Sequence, residues 1–281
     1  MKRIHIVGVS PRSGTTLLAE AIDTCFKIDY ATHHEDELFT RPPGSPEVYL
    51  SKCPRDIMIV GPSLKADPNL FVICMMRDPR DIIVSKHNKD PDRYWTGLKF
   101  WKLYTKELPK LLKHNRFIQI RYEDLVSEPD KVQALIAEKI PFLKQELPFS
   151  QYHKAAKVSN PSKKALGGIR PIKPTSVGKW RRHKARVKRQ LQLHGPLTPD
   201  LVKYEYEDND SWLKELNGIE PDFSQSHFSE YMTVKEKIFR RSGRYLEALR
   251  RRIEYLLGFR IRTIHPKKWI KHFFNRYGSI V

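Results

Sequence analysis

The sequence predicts an α/β fold of three layers, with helices on both faces of a central parallel sheet and a phosphate-binding strand-loop-helix resembling a P-loop. Three observations predict it. Strand-like apolar segments alternate with helical patterns, which demands crossover connections and therefore parallel strands. Residues 69–76 (NLFVICMM) form an almost continuous apolar run, the pattern of a strand covered on both faces and the best central-strand candidate. Residues 3–9 (RIHIVGV) are a second such strand, and they run into a Pro-Arg-Ser-Gly turn that opens a helix.

That first helix is expected over residues 15–26, followed by a short strand at 27–31 and the polar loop His33-His34-Glu35-Asp36. After the 69–76 strand, Arg77-Asp78-Pro79-Arg80 begins a helix expected to reach His87. Trp95, Leu98, Trp101, Leu108, Leu111 and Leu112 fall near helical spacing and predict one long amphipathic helix against the sheet. Residues 117–122 read as another strand and 131–139 as another helix. The Pro and Gly residues between 159 and 178 predict a long loop. Beyond residue 230, Ile238, Tyr245, Leu246, Leu249, Ile253, Leu256 and Leu257 alternate with Arg240, Arg241, Arg250, Arg251 and Arg252, and a further basic segment carries Trp269, Phe273 and Phe274. The expected organisation is a main domain over 1–230 and a basic amphipathic helical extension over 231–281. The extension either docks on the domain or offers a surface to anionic lipid.

Composition narrows the function. The 281 residues are 40% hydrophobic and 11% aromatic, enough for a packed core. No apolar run approaches the roughly 18 residues of a membrane-spanning helix, and the strand-like start points away from a signal peptide. Three cysteines (Cys25, Cys53, Cys74) without CxxC spacing predict neither a disulfide framework nor a zinc site, which favours a reducing cytoplasm, with peripheral membrane contact through the basic extension. The net charge of +20 calls for an anionic partner. Residues 150–199 hold thirteen Lys and Arg and no acid, so an anion is expected among them; from 200 to 230 the sign inverts, as a lid or as a counterweight to the basic surface.

The loop Ser10-Pro11-Arg12-Ser13-Gly14-Thr15-Thr16 has the makings of a phosphate site, because backbone N–H groups and the helix dipole converge there. The nucleoside-triphosphate form of this loop, GxxxxGK[ST], places a lysine on the β- and γ-phosphates. Here Val9 stands at the first glycine and Thr15 at the lysine, leaving Arg12 as the nearby cation. The second element, Arg77-Asp78-Pro79-Arg80-Asp81-Ile82-Ile83-Val84-Ser85, starts at a strand's end, where ligands of open α/β sheets bind. A helix there would return Ser85 beside Arg77 as a second phosphate clamp.

In this order, PRSGTTLL, RDPRDIIVS, RYEDLV and SVGKWRR resemble the sulfotransferases that use 3′-phosphoadenosine 5′-phosphosulfate (PAPS), over residues 3–190. The arginine of PRSGTT resembles the carbohydrate and tyrosylprotein branches. The resemblance implies that Arg12, Ser13, Gly14, Thr15 and Thr16 hold the 5′-phosphosulfate, and that Arg77 and Ser85 hold the 3′-phosphate. It assigns the Lys-Trp element to Lys179, Trp180 and Arg181, with Thr175 and Ser176 adding hydroxyls and Tyr122 touching the purine. It implies sulfuryl transfer by in-line attack, with 3′,5′-bisphosphoadenosine as the other product and no metal required. Arg12 and Lys52, the latter in a Lys-x-Pro element, would stabilise charge, and a base would activate the acceptor hydroxyl. Glu35 leads for the base, with His33, His34 and Glu37 as rivals. The favoured acceptor is a glycan or glycolipid hydroxyl, with a tyrosyl residue or small alcohol open. Competing classes are a P-loop kinase or nucleotide hydrolase, which lacks its lysine here, and a nucleic-acid binder, for which the chain shows no module.

Overall fold

The computed structural model describes residues 1–228 and 230, and single positions at 246, 249, 250, 252, 253, 256 and 257. The chain divides into two compact units, one of Met1–Glu37 with Pro42–Tyr231 and one of Leu38–Arg41 with Met232–Val281. The first unit carries the sheet.

Strand β1 (Lys2–Gly8) is buried from Arg3 onward, as a strand covered on both faces must be. Helix α1 (Thr15–Cys25) starts after Gly14, and its Leu18, Ala21, Ile22 and Cys25 repeat at helical spacing into the core. The second predicted strand shrinks to β2 (Tyr30–Ala31), and β3 (Val48–Lys52), buried at all five positions, adds a strand not foreseen. After α2 (Val60–Ala66) comes β4 (Leu70–Met76), and then α3 (Pro79–Ile83). The helix expected to run to His87 stops at Ile83, where Ile82, Ile83 and Val84 are successive β-branched residues of weaker helix propensity. The chain turns instead into a hairpin of β5 (Lys86–His87) and β6 (Asp90–Tyr94).

The long helix expected over 95–112 is also broken. Trp95 precedes it, and α4 (Leu98–Tyr104) and α5 (Leu108–Leu111) are joined by a 3₁₀ turn just ahead of Pro109. Leu112 is exposed rather than part of the buried face. Strand β7 (Phe117–Arg121) leads into α6 (Tyr122–Ser127) and α7 (Pro129–Lys139). After α8 (Tyr152–Ala155), the predicted 159–178 loop contains a helix, α9 (Asn160–Leu166). A 3₁₀ turn at Lys179–Arg182 precedes α10 (Lys184–His194), and α11 (Thr198–Lys203) follows.

The sheet order is β2-β3-β1-β4-β7, all parallel. Ile4 and Ile6 of β1, Ile73 and Met75 of β4 and Ile118 and Ile120 of β7 form one apolar face with α1, α6, α7 and α8. Side chains of alternate parity cover the opposite face, where α2 lies against β4. Each fully buried Ile or Leu contributes about 1.5–3 kcal/mol relative to exposure. The register pairs Ile6 with Lys52, Gly8 with Met75 and Met76 with Arg121, so the carboxyl ends of four strands finish together. The loops carrying Arg12, Glu35, Arg77 and Tyr122 leave from that edge.

Candidate active site at the carboxyl edge of the sheet

The β1–α1 loop is built around close approaches. Gly14 takes φ +96°, and a Cβ there would lie 2.5 Å from the Tyr122 ring. Only glycine fits both the space and the backbone. At Gly8 an added Cβ would meet Ser13 Oγ at 2.2 Å. Ser13 is itself buried and donates to Ser10 O (2.8 Å), so its hydroxyl closes the loop. Arg12 also sits at positive φ, 71°, a conformation that costs a non-glycine residue energy. The first turn of α1 carries no acid to occupy its N–H groups.

Two guanidiniums meet beside this loop. Arg77 Nη1 donates to Arg12 O (3.0 Å), Nη2 donates to Ser176 O (2.9 Å), and the guanidinium stacks 4.1 Å from the Tyr122 ring centre. Arg77 Nε is buried without a hydrogen-bond partner among the described residues. Arg12 Nε donates to Ser85 Oγ (2.9 Å), and Nη1 to Ala165 O of α9 (3.4 Å). Burial, and then the charge of Arg77, push the Arg12 guanidinium down to about 10. Two cations this close, one with an orphaned N–H, form a site that an oxyanion would relieve. Ser85 therefore joins the cluster through Arg12, from beyond the end of α3, and not on a helix returning it to Arg77.

The acids of the Arg77–Asp81 string are buried rather than surface charges, and the sequence reading missed their purpose. Asp81 accepts from Gly178 N (2.7 Å) and Trp180 N (2.9 Å), pinning the loop that places Ser176 against Arg77. Burial, and then Asp78, push its carboxyl above the ordinary range, opposed by those two N–H donors. Asp78 pairs with Arg80, whose guanidinium lies 4.3 Å from Trp180 and 4.9 Å from Trp212 and also bonds Glu207 (2.5 Å). Trp180 is thus a buried anchor of the loop. Arg181 is exposed and pairs with Glu215 (3.4 Å), while Lys179 is exposed on the same turn. Three cations of the acid-free block pair with carboxylates from beyond it: Lys184 shares Glu215 with Arg181, and Arg186 pairs with Glu230.

A second cluster adjoins the loop through Thr16. Lys52 is only 2% exposed, and its Nζ reaches Thr16 Oγ1 (3.2 Å) and Glu35 Oε1 (3.4 Å). Burial pushes Lys52 down, opposed mainly by Glu35. Glu35 keeps 47% of its side chain open to solvent. His34 lies against Ser162 of α9 (Nδ1 to Oγ, 3.2 Å), and burial followed by the charge of Lys52 keeps it below the usual imidazole range. His33 is exposed, and its carbonyl accepts from Ser159 and Ser162. Glu37 turns away to Arg55 (3.1 Å).

The structure thus brings Arg12, Ser13, Gly14, Thr15, Thr16, Arg77, Ser85, Tyr122 and Ser176 to one place and Glu35, Lys52 and His34 beside it. His87 joins them from the hairpin, close enough to Arg12 that burial and then that charge push its imidazole down to about 4. No group of three His, Cys, Asp or Glu among the described residues is arranged to hold a metal ion.

Residues 19–140 match the sulfotransferase family. The match begins just past the phosphate loop and takes in Glu35, Lys52, Arg77, Ser85 and Tyr122. No curated protein matches the sequence. Solved structures similar to this chain include the sulfotransferase domain from the Synechococcus PCC 7002 olefin synthase (19% identity over 64% of this chain and 87% of that one, TM-score 0.43). Another is the sulfotransferase domain from the curacin biosynthetic pathway (15%, 64% and 91%, 0.37). A third is retinol dehydratase in complex with androsterone and the inactive cofactor PAP (11%, 94% and 83%, 0.31). These three are too distant to carry an argument about activity. The matched segment takes in Arg77 and Ser85 and follows directly on the Arg12–Thr16 turn, so this part of the chain is similar to the sulfotransferases.

Proposed function

We propose that this sulfotransferase takes its sulfuryl group from PAPS and delivers it to a hydroxyl of a carbohydrate or glycolipid, leaving 3′,5′-bisphosphoadenosine. The observation that carries the proposal is the convergence of Arg12 and Arg77 on a loop that lacks the triphosphate-binding lysine. The first turn of α1, Arg12 and Thr16 would hold the 5′-phosphosulfate. Arg77, with its unpartnered Nε, Ser85 and Ser176 would hold the 3′-phosphate, Lys179 adding charge from the pinned loop. Tyr122 underlies the Arg77 guanidinium and lines the purine side. The donor supplies an activated sulfuryl group, so the protein's tasks are positioning and charge stabilisation.

Glu35 accepts the proton of the acceptor hydroxyl. It is the open carboxylate joined through Lys52 to Thr16, at the loop that faces the donor. Lys52 holds Glu35 in place and, with Arg12, faces the oxygens on which charge develops. Transfer of labelled sulfate from PAPS to a panel of sugars tests the proposal, which fails if sugars remain unlabelled while another hydroxyl class accepts. Arg77→Ala is expected to weaken 3′,5′-bisphosphoadenosine binding by about 1.5–3 kcal/mol, the worth of hydrogen bonds between charged groups. Unchanged affinity by calorimetry would remove Arg77 from the site.

The proposal extends to location. Cys25 and Cys74 are buried free thiols, as suits a reducing cytoplasm. In the second unit, Leu246, Leu249, Ile253, Leu256 and Leu257 are helical and exposed, and they fall on one stripe at helical spacing. Residues 231–281 hold fourteen Lys and Arg against three Glu. An apolar stripe flanked by arginines suits the interface of an anionic bilayer. Trp269, Phe273 and Phe274 lie outside the described residues. Among the described residues no helix is long and apolar enough to cross a membrane. Substituting Glu for both Leu249 and Leu256 is expected to abolish co-sedimentation with phosphatidylserine vesicles at low salt. Equal sedimentation of variant and parent would count against membrane contact.

A further inference from the structure

A buried carboxylate stands beside the arginine that is to clamp a phosphate. Asp81 is 2% exposed, lies four residues past Arg77 and feels the charge of that guanidinium. Its neighbour Asp78 is matched by Arg80 (2.8 Å), whereas Asp81 joins no ion pair among the described residues. Both of its oxygens go to backbone instead: Oδ2 accepts from Gly178 N (2.7 Å) and Oδ1 from Trp180 N (2.9 Å). A carboxylate placed there repels an incoming phosphate and competes for the field of Arg77. On charge alone, an anion site would be tighter without it.

The backbone partners show what Asp81 does instead. They are the open end of the 3₁₀ turn Lys179–Arg182, which Gly178 caps at φ +72°. The N–H groups at such an end have no partner within the turn, and Asp81 supplies one. Arg77 Nη2 takes Ser176 O (2.9 Å) just upstream, so the loop is gripped at Ser176, Gly178 and Trp180 by two side chains of one short stretch. Trp180 is turned inward to 1% exposure, its ring 4.3 Å from the Arg80 guanidinium, while Lys179 is left exposed. Arg181 and Lys184 are drawn to Glu215, but Lys179 takes no carboxylate partner among the described residues.

We propose that Asp81 is a positioning residue for the sulfuryl donor: by holding the Gly178 and Trp180 amides it sets Ser176 and Lys179 beside Arg77 before the donor arrives. This rests on the reading of Arg77 as the 3′-phosphate clamp. The ordered loop strengthens binding of the 3′-phosphate by more than the carboxylate's own repulsion weakens it. The two influences have opposite sign, which makes them separable. Removing the charge alone tightens an anion, and releasing the loop loosens it.

The test measures 3′,5′-bisphosphoadenosine binding by calorimetry on the full chain, in Asp81→Asn, in Lys179→Ala and in the two combined. Asp81→Asn keeps the shape but turns one acceptor oxygen into an NH₂ group facing an N–H. It is expected to weaken the bisphosphate about 10-fold, the worth of a hydrogen bond to a charged group. With the best acceptor of the hydroxyl panel, KM for PAPS should rise by a similar factor and kcat stay within about twofold, the mark of lost donor binding. Lys179→Ala should weaken binding in the parent and add little to Asp81→Asn, because a released loop no longer presents Lys179. Gly178→Ala is the second variant. It strains the left-handed residue, with a Cβ 3.1 Å from Arg181 Nη1, while leaving the charge of Asp81 in place, and it too should weaken the bisphosphate. Melting temperatures show which variants fold. Parent-like or tighter binding in Asp81→Asn, or in Gly178→Ala where Asp81→Asn does not fold, would overturn this inference and leave the donor reading standing. So would losses that add fully with Lys179→Ala and fall on kcat. A parent chain that binds no bisphosphate would overturn both.

Discussion

Glu35→Gln is expected to leave 3′,5′-bisphosphoadenosine binding unchanged and to lower turnover about 100-fold or more, the range removed with a general base. That corresponds to about 2.7 kcal/mol of transition-state stabilisation. The substitution keeps the shape and an oxygen for Lys52 Nζ, now 3.4 Å from Glu35 Oε1, but removes the proton acceptor. Cofactor affinity is insulated because Arg12 and Arg77, not Glu35, surround the donor loop. Single-turnover rates with saturating donor separate the two effects. His34→Gln serves as the rival arm: the imidazole is held by Ser162 and is expected to cost less. Near-parent turnover in Glu35→Gln, with a large loss in His34→Gln, would move the base to His34.

The second large effect concerns stability. Arg186 is 0% exposed and bonds Glu230 Oε1 (2.5 Å), Ser226 Oγ (2.5 Å) and the carbonyls of Ile83, Thr96 and Ser224. Gln190 donates to the other Glu230 oxygen (2.5 Å). Burial raises the Glu230 carboxyl, but Ser226, Arg186 and Gln190 outweigh it and hold it below the ordinary carboxylate range. Arg186→Ala strands that carboxylate and is expected to cost about 3–5 kcal/mol. In a unit of this size that lowers Tm by roughly 10 °C. Replacing Arg186 by Met and Glu230 by Leu together should recover most of the loss, because the isolated charge is then gone. A loss below about 1 kcal/mol in Arg186→Ala would mean the pair is not what ties the 222–230 segment to α10. Since the depressed Glu230 carboxyl favours folding when ionised, this contribution is complete above its unfolded-state value. It fades as pH falls through the lower folded-state value.

The β1–α1 turn was legible because its signal is local: an apolar strand, a Ser-Gly turn and a helix with its first-turn hydroxyls, all within residues 3–26. The β4 strand and Arg77 at its end were legible for the same reason. Strand β3 was not. Its five residues, VYLSK, follow a Pro-rich loop and show neither a long apolar run nor a clean alternation, yet both faces are covered in the sheet. Its register with β1 is what brings Lys52 inside. Residues 90–94 (DPDRY) likewise carry no strand pattern, and the hairpin they form replaced the expected helix. Helix α9 had its signals in view: Ser159 caps it, Pro161 sits in its first turn and Gly167 ends it at φ +70°. Read in bulk, the Pro and Gly of that region pointed to a loop. The roles of Asp81 and Arg186 depend on Gly178 and Glu230, 97 and 44 residues away, and no local pattern announces them.

The sheet's carboxyl edge is proposed to bind PAPS, and its product 3′,5′-bisphosphoadenosine, rather than a nucleoside triphosphate. Calorimetric titration of the full chain with 3′,5′-bisphosphoadenosine, beside ATP with Mg²⁺, tests it most directly. Micromolar binding of the bisphosphate with little response to ATP is the predicted result. Preference for ATP, or binding of neither, would contradict it.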